Sequence, residues 1–216
     1  MMTQQKKGIF ISIEGTDGSG KSTQIQKILD DLSARKLDVV FTREPGGTPI
    51  SEKIRQILLS PEHGEMCAET EMLLYAAARA QHVRQKILPA LAEGKVVLSD
   101  RFLDSSIAYQ GYARGLGTCV LTVNQIATGG LEPDLTIFLD LPPKEGIRRK
   151  RIEADHTMDR LEQEDLSFHE KVYQGYLETA KQSPHRVCRI DASASVDAVF
   201  AQVKAALDQC LARWDV

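Results

Sequence analysis

The stretch Gly15–Ser22 reads Gly-Thr-Asp-Gly-Ser-Gly-Lys-Ser, and its residue types and spacing suit it to one kind of chemistry. Gly15, Gly20, Lys21 and Ser22 match the pattern G-x-x-x-x-G-K-[ST] in full. Glycines let successive backbone N–H groups face a single anion, at the positive end of a helix dipole. The pattern predicts a loop that binds a nucleoside triphosphate, with Lys21 on the β- and γ-phosphates and Ser22 on Mg²⁺. The predicted binding residues are Gly15, Thr16, Asp17, Gly18, Ser19, Gly20, Lys21, Ser22 and Thr23.

The residues on both sides of this loop supply the strand and the helix that it requires. Gly8–Glu14 is a short apolar run that predicts a buried strand, and the apolar residues after the loop fall at helical spacing. Those helical residues are Ile25, Ile28, Leu29 and Leu32. An ordinary glycine-rich turn before a helix is the alternative interpretation, but the flanking strand and helix favour phosphate binding.

Strands and helices alternate along the rest of the chain. Four further strands are predicted at Asp38–Thr42, Lys95–Ser99, Leu135–Leu141 and Val187–Ile190. Helical patterns lie between and after them, at about Ile50–Leu58, Glu69–Leu91, Ser167–Ala180 and Val196–Leu211. This alternation predicts an α/β P-loop NTPase fold, in which a five-stranded parallel sheet carries helices on both faces.

Length and composition fit one domain that covers residues 1–216. The formal net charge of −3 gives no electrostatic reason to expect nucleic acid as a partner. The sequence has no apolar run of membrane-spanning length, and its start, Met1–Lys7, lacks the apolar segment of a secretory signal. The four cysteines are far apart, which predicts neither disulfides nor a zinc site and favours the reducing cytoplasm.

Charged residues gather where the predicted strands end. Ligands of parallel sheets bind beyond the carboxyl ends of the strands, where Asp17, Arg43, Asp100 and Arg101 are expected. Arg43 and Arg101 are placed to hold a second phosphate group, although a salt bridge to Glu44 or Asp100 is the alternative. Asp100 is placed to hold Mg²⁺ through water, with a loop-capping carboxylate as its alternative.

An arginine-rich segment follows the Pro142-Pro143 break. Arg148, Arg149, Lys150 and Arg151 suggest a lid over the phosphates, at about residues 143–162, although a solvated helix face is the alternative. A phosphate monoester has its second pKa at about 6, so at neutral pH it is already a nucleophile and needs no catalytic base. We therefore expect the five histidines to be surface or packing residues.

Several segments together resemble the thymidylate kinase family, from Gly8 to about Ala192. They are Gly15–Ser22, Arg43–Thr48, Leu73–Arg79, Asp100–Gly111 and Asp159–Glu162. The loop pattern alone is widespread, but Arg-Glu-Pro-Gly-Gly-Thr combined with Asp-Arg-x-x-x-Ser-Ser-x-Ala-Tyr-Gln-Gly is far narrower. The resemblance implies a nucleoside monophosphate kinase-like fold with a short lid, and the Mg²⁺-dependent transfer of the γ-phosphoryl group of ATP to dTMP.

The resemblance also implies a role for each matching position. Tyr75 would stack on the pyrimidine, Arg79 would donate to its O4 atom, and Tyr109 would exclude a ribose 2′-hydroxyl. The dTMP residues implied are Asp17, Arg43, Tyr75, Arg79, Arg101, Ser105, Ser106, Tyr109 and Gln110. The catalytic residues implied are Asp17, Lys21, Arg101, Arg149 and Arg151, and those implied for the metal are Ser22 and Asp100. Family homodimers make the helix Glu69–Leu91 a candidate interface.

The chain departs from the family pattern at three positions. Relatives often carry Phe at position 75 and Thr or Asn at position 106, and some carry an arginine in place of Gly18. The missing arginine would then be supplied by the lid. Two other functions are weighed against this one: a kinase for another monophosphate, and a P-loop nucleotide switch acting through partner binding. The pocket residues oppose the first, and the lack of an Asn-Lys-x-Asp segment opposes the second.

Overall fold

A computed structural model describes residues 8–150 and 158–214 of the chain. In these residues a central sheet contains five parallel strands in the order β2-β3-β1-β4-β5. The strands are β1 (Ile9–Gly15), β2 (Val39–Arg43), β3 (Val96–Asp100), β4 (Leu135–Asp140) and β5 (Val187–Asp191). The sheet confirms the predicted fold class, and each strand lies within one residue of its predicted bounds.

Helices connect the strands and cover both faces of the sheet. Those described are α1 (Lys21–Ala34), α2 (Pro49–Leu59), α3 (Ala68–His82), α4 (Leu88–Ala92), α5 (Leu103–Ser106), α6 (Cys119–Thr128), α7 (Pro143–Lys150), α8 (Leu166–Gln182) and α9 (Val196–Trp214). A π-helical segment, Val83–Ile87, joins α3 to α4, so the long helix predicted at Glu69–Leu91 is nearly continuous. A second π-helical segment, Ile107–Ala113, continues α5.

The central strand β1 shows why the sheet is covered on both sides. Every residue of β1 is buried, and successive side chains point to opposite faces. Ile11 and Ile13 pack in a core formed with α1 and α9, whereas Phe10 packs with Val97 and Phe102 on the other face. A strand buried on both faces is expected to be mainly apolar, and Ile9, Phe10, Ile11 and Ile13 are the residues that made β1 predictable.

The strand register brings the charged residues to one edge of the sheet. Asp100 at the end of β3 lies opposite Ile13 of β1 and Arg43 of β2. The P-loop follows directly on β1, and Arg101 follows directly on β3. The four charged residues expected at the carboxyl ends of the strands therefore lie at that edge or in the loops that directly follow it.

The segments that sequence patterns missed lie around residues 103–134 and 143–150. The sequence patterns predict no helix at α5, α6 or α7. Only Pro143 and Gly146 are buried in α7, so its helix has no apolar stripe to detect.

Among the described residues, none of the helices combines the length and apolarity needed to cross a membrane. The four cysteines are free thiols, as predicted.

A buried ion pair fixes the short helix α5 to the sheet. Arg186, just before β5, donates two hydrogen bonds of 2.7 and 2.8 Å to the carboxylate of Asp104. Both side chains are almost fully buried, and Thr136 of β4 donates to the same carboxylate at 3.0 Å. Asp104 is followed by Ser105 and Ser106, so this ion pair sets the position of two predicted site residues.

We predict that Asp104→Ala destabilises the fold strongly. The substitution leaves the Arg186 guanidinium buried without its carboxylate partner, a loss that typically costs about 3–5 kcal/mol of unfolding free energy. Urea denaturation followed by circular dichroism measures the change. Glu178→Ala is the matched control, because Glu178 pairs only with the exposed Lys181 in the described structure. Equal stability losses in the two variants would contradict the prediction.

Candidate active site

One cavity of about 460 Å³ opens at the carboxyl edge of the sheet and brings most of the predicted site residues together. Those that line it are Asp17, Gly18, Ser19, Gly20, Lys21, Ser22, Thr23, Tyr75, Arg79, Asp100, Arg101, Ser105, Ser106, Tyr109, Gln110 and Arg149. Gly15 and Thr16 form the first part of the same loop, and Thr16 Oγ1 donates to the carbonyl of Leu141 at 3.1 Å. Arg151 lies outside the described residues.

The P-loop has the backbone geometry that its glycines allow. Gly20 precedes α1 with φ of 91°, in the left-handed region that favours glycine. The Lys21 ammonium donates to the carbonyl oxygens of Gly15 and Thr16, at 3.1 and 3.2 Å. Burial and the neighbouring Arg101 lower the pKa of Lys21 from its ordinary value to about 8. A phosphate group in the loop would offset both effects, because it favours the charged ammonium.

Gly18, at the tip of the P-loop, is in close contact with Gly146 of α7. A Cβ atom added at Gly18, where φ is 73°, would lie 2.2 Å from the Gly146 carbonyl oxygen. A Cβ atom added at Gly146 would lie 2.1 Å from the carbonyl oxygen of Asp17. Both positions therefore require glycine, and the base of the predicted lid rests on the phosphate-binding loop.

Arg101 lies at the centre of the cavity in a backbone conformation that is rare for a residue with a side chain. Its φ is 66°, and its guanidinium donates to Asp17 Oδ1 at 2.8 Å and to the Gly15 carbonyl at 3.0 Å. Such strain is typical of functional positions. Burial opposes ionisation of Asp17, yet Arg101 and Lys21 lower the pKa of Asp17 to about 2. Asp17 therefore stays ionised beside the arginine.

Glu14 supports Arg101 from behind, and sequence reasoning did not single it out. Its fully buried carboxylate accepts hydrogen bonds from the Phe102 amide at 2.7 Å and the Ser105 hydroxyl at 2.6 Å. The Tyr176 hydroxyl lies 3.0 Å from both Glu14 Oε2 and the Arg101 guanidinium. Burial is the main cause that raises the pKa of Glu14 to about 7. The sequence signal that could have identified Glu14 is an acidic residue at the end of an apolar strand.

The structure does not bring Arg43 to the cavity. Arg43 is 45% exposed and pairs with Glu52 of α2 at 2.9 Å. Arg55, also on α2, lines the cavity instead and donates to the Pro45 carbonyl at 2.8 Å. Burial, followed by the charge of Arg43, lowers the pKa of Arg55. Arg55 is the functional candidate that the sequence analysis missed, since helical spacing alone does not tell which arginine faces inward.

Arg79 also lines the cavity and is held in a fixed orientation. Its side chain is 2% exposed and donates to Glu44 Oε2 at 2.7 Å and to the Ser106 hydroxyl at 2.8 Å. It also donates to the Asn124 side chain and to the Phe102 carbonyl, the latter at 2.9 Å. These bonds use four of its five N–H groups. Among the described contacts, one N–H on Nη2 is left for a ligand.

Tyr75 and Tyr109 provide aromatic walls to the same cavity. Tyr109 is buried, with its ring 5.5 Å from the Arg101 guanidinium carbon and edge-on to Phe168. Burial raises the pKa of both tyrosines, so each hydroxyl remains protonated.

Of the predicted packing histidines, His82 is fully buried and hydrogen-bonded to Thr42 and Glu44. Within the described chain, no histidine lines the cavity.

The donors present at the P-loop fit a magnesium ion that also binds phosphate oxygens. Asp100 Oδ1 is buried, and among the described residues it has no hydrogen-bond partner. The exposed Ser22 hydroxyl lines the same part of the cavity. No group of three or more His, Cys, Asp or Glu side chains in residues 8–150 and 158–214 could hold a metal alone. Magnesium commonly binds through one or two protein groups plus substrate phosphates, which suits this arrangement.

The described parts of the predicted lid contact the cavity through α7 and through Asp159, Leu161 and Glu162. Arg149 donates to Glu145 at 3.2 Å and to the Ala192 carbonyl at 3.2 Å, and Lys150 pairs with Glu162. Arg148 is largely exposed and pairs with Glu145 at 2.8 Å. Arg149 and Lys150 line the cavity, whereas Arg148 does not.

A P-loop on a parallel sheet, facing a second pocket with aromatic walls and an inward guanidinium, defines a P-loop NTPase of the nucleoside monophosphate kinase type. Comparison with known proteins narrows this class. A model of the thymidylate kinase family matches residues 13–203.

Individual relatives agree with that match. The thymidylate kinase of Geobacillus sp. (strain WCH70) is 52% identical over 205 residues, which cover 94% of this chain and 98% of the relative. That of Lactobacillus acidophilus is 50% identical over 207 residues, which cover 95% and 96%. The crystal structure of thymidylate kinase from Ehrlichia chaffeensis aligns with a TM-score of 0.75 at 31% identity, covering 94% and 99% of the two chains.

The chain belongs to the thymidylate kinase family. The resemblance found in its sequence is confirmed, and so is its function as an enzyme that phosphorylates dTMP. The family uses ATP as the donor.

We predict that binding of an ATP analogue takes up a proton above pH 8. In the free site the pKa of Lys21 is about 8, and bound phosphates raise it again. Affinity therefore falls as the pH rises above 8, where the free lysine is neutral. Isothermal titration calorimetry at pH 9, in buffers of different ionisation enthalpy, measures the uptake. Lys21→Arg, which stays charged, is the control, and equal heats in all buffers for the unmodified protein would contradict the prediction.

We predict that Gly146→Ala weakens nucleotide binding. The added methyl group meets the Asp17 carbonyl, and overpacking of about 1–3 kcal/mol corresponds to roughly fivefold to a hundredfold in affinity. Titration with a non-hydrolysable ATP analogue measures the effect. Lys144→Ala is the matched control, because Lys144 is exposed on the same helix. Unchanged affinity in Gly146→Ala would show that α7 does not restrain the loop.

Proposed function

We propose that this dTMP kinase performs Mg²⁺-dependent transfer of the ATP γ-phosphoryl group to dTMP within the one cavity, giving dTDP and ADP. The observation that supports this placement is that the P-loop and the residues Tyr75 and Arg79 line one cavity. Arg101 contacts both parts: it donates to Asp17 of the P-loop at 2.8 Å, and its guanidinium carbon lies 5.5 Å from the Tyr109 ring. A donor on the loop and an acceptor in the pocket would then meet beside its guanidinium.

Neutralisation of charge is the main task of the side chains. The dTMP phosphate is mostly dianionic at neutral pH and attacks without a base. Two phosphate groups in contact repel each other unless cations intervene. We assign this role to Lys21, Arg101 and Arg55, with Arg55 in place of the exposed Arg43. Arginine suits the acceptor phosphate because its planar fork donates two parallel hydrogen bonds.

Ser22 and Asp100 are the residues that would hold Mg²⁺. When bound, the ion would neutralise charge on the β- and γ-phosphate oxygens. The unpartnered Asp100 oxygen supports this assignment. Lys21 would orient the same phosphates from the other side of the loop.

The pocket beyond Arg101 would bind the nucleoside. Tyr75 would stack on the pyrimidine, the remaining Arg79 N–H would donate to its O4 atom, and Ser106 and Gln110 would contact its edge. Tyr109 would exclude a ribose 2′-hydroxyl, and Asp17 would accept from the 3′-hydroxyl while it holds Arg101. An apolar wall discriminates one methyl group by only about 1–3 kcal/mol, so we expect dUMP to be a poor substrate.

Arg149 and Arg151 would complete the site from the lid. Arg149 already lines the cavity, and its bond to the Ala192 carbonyl would be exchanged for a phosphate. Lid contacts of this kind exclude water and form as the substrates are enclosed.

We also propose that the chain forms a homodimer in the cytoplasm. Helix α3 packs against both α2 and α6. Exposed apolar residues project from these three helices: Ile50, Ile57, Leu73, Leu121 and Ile126. Contiguous exposed apolar surface is typical of an interface. The proposed surface thus uses α2 and α6 as well as the α3 part of Glu69–Leu91.

A comparison of two arginine variants tests the site assignment. We predict that Arg55→Ala lowers kcat/KM for dTMP by roughly tenfold to a hundredfold, because a hydrogen bond to a charged group contributes about 1.5–3 kcal/mol. Arg43→Ala is the matched control and changes it little. Initial rates of ADP formation at saturating Mg²⁺-ATP give both values. A larger effect in Arg43→Ala would contradict the assignment of Arg55 and would show that Arg43 binds the dTMP phosphate, as the sequence predicts.

A further inference from the structure

Glu71 is a fully buried carboxylate that lies one helical turn before Tyr75 on α3. Its Oε1 accepts from Gln110 Nε2 at 2.8 Å and from Arg114 Nε at 3.2 Å. Its Oε2 accepts from Arg114 Nη2 at 3.0 Å and from Arg160 Nη2 at 2.7 Å. Both oxygens are therefore occupied, and a carboxylate with two arginine partners remains ionised.

The arginines leave this carboxylate little freedom to rotate. Arg160 is itself buried and also donates to the Leu58 carbonyl at 2.9 Å. Arg114 has a second partner, Glu164, at 2.6 Å, so the cluster contains two acids and two arginines. A charge-balanced and hydrogen-bonded cluster of this kind is rigid. Glu71 is thus a fixed acceptor at the wall of the nucleoside pocket.

A fixed acceptor determines which way the Gln110 side chain points. An ionised carboxylate can only accept hydrogen bonds, so the NH₂ group of Gln110 must face Glu71. The amide oxygen of Gln110 is then directed away from Glu71. In residues 8–150 and 158–214 no donor bonds to this oxygen, and Gln110 lines the cavity. Gln110 therefore presents a hydrogen-bond acceptor to the pocket, and not a donor.

Together with Arg79, this orientation creates a donor–acceptor pattern. Arg79 has one N–H left for a ligand, and Gln110 presents an oxygen. A thymine ring has an acceptor at O4 beside a donor at N3, which complements the pair. A cytosine ring has an amino donor at C4 and an acceptor at N3. It would therefore place donor against donor and acceptor against acceptor.

We propose that Glu71 is a positioning residue for base specificity: by holding the NH₂ group of Gln110, it turns the amide oxygen toward N3 and thereby favours thymine-type over cytosine-type monophosphates. This inference rests on the nucleoside pocket assigned under the proposed function. Glu71 itself acts only through Gln110.

The test compares dTMP with 5-methyl-dCMP, which shares its methyl group, sugar and phosphate. In Glu71→Gln the side chain at position 71 can donate as well as accept, so Gln110 can turn either end to the base. We expect the ratio of kcat/KM for dTMP to that for 5-methyl-dCMP to fall about tenfold or more. A merely structural role would lower both values by the same factor. An unchanged ratio would overturn the proposal.

Two further variants separate this inference from the pocket assignment. Gln110→Leu should also lower the ratio, and adding Glu71→Gln to it should cause no further fall, because both act through one amide. If Gln110→Leu leaves the ratio unchanged, the pocket assignment fails. If Gln110→Leu lowers the ratio and Glu71→Gln does not, only the role of Glu71 fails. Glu164→Gln is the control for loss of an acid from the same cluster.

A paired exchange covers the case in which Glu71→Gln does not fold. In the double variant Glu71→Gln with Gln110→Glu, the new amide at position 71 donates to the new carboxylate at position 110. The second oxygen of that carboxylate still accepts from N3. A ratio near that of the unmodified enzyme supports the proposal, and a ratio as low as that of Gln110→Leu overturns it.

Discussion

The repulsion between two phosphate groups requires several cations in one cavity, and cations without partners would destabilise the empty protein. The structure meets this constraint with carboxylates. Arg101 pairs with Asp17, Arg79 with Glu44, and Arg149 with Glu145. Removing one partner of a buried pair costs far more than removing both. The cavity is therefore close to electrically balanced before a nucleotide arrives, and binding exchanges partners instead of neutralising bare charges.

The same constraint explains how a four-residue helix can hold part of an active site. Three successive residues of α5 each contact a different arginine: Asp104 with Arg186, Ser105 with Arg101, and Ser106 with Arg79. So short a helix has almost no stability of its own. Its geometry is imposed by these arginines, two of which, Arg79 and Arg186, come from distant parts of the chain. The cavity and the fold are in this sense stabilised by one set of contacts.

A feature could be predicted from the sequence when residues close together in the chain determine it, and not when its contacts come from distant segments. The strands and the P-loop depend on local patterns, and the expectation that Asp100 and Arg101 line the cavity follows from the rule that ligands bind where parallel strands end. The choice between Arg43 and Arg55 depends on which side of α2 meets the cavity, and Glu52 captures the arginine at the end of β2. Glu71 was beyond such reasoning, since its arginine partners lie 43 and 89 residues away in the chain. No local sequence pattern predicts the contacts of a carboxylate whose partners come from such separate segments.

The contact between Gly18 and Gly146 bears on how this family can diversify. The family resemblance implies an arginine at position 18 in some relatives, but here the neighbouring carbonyl of α7 leaves no room for even a methyl group. The two ways of supplying a cation are thus sterically incompatible within one backbone. A lineage passing from one to the other must displace α7 first, or together with the exchange. Substitutions at these two positions are consequently interdependent, and the order in which they arise is restricted.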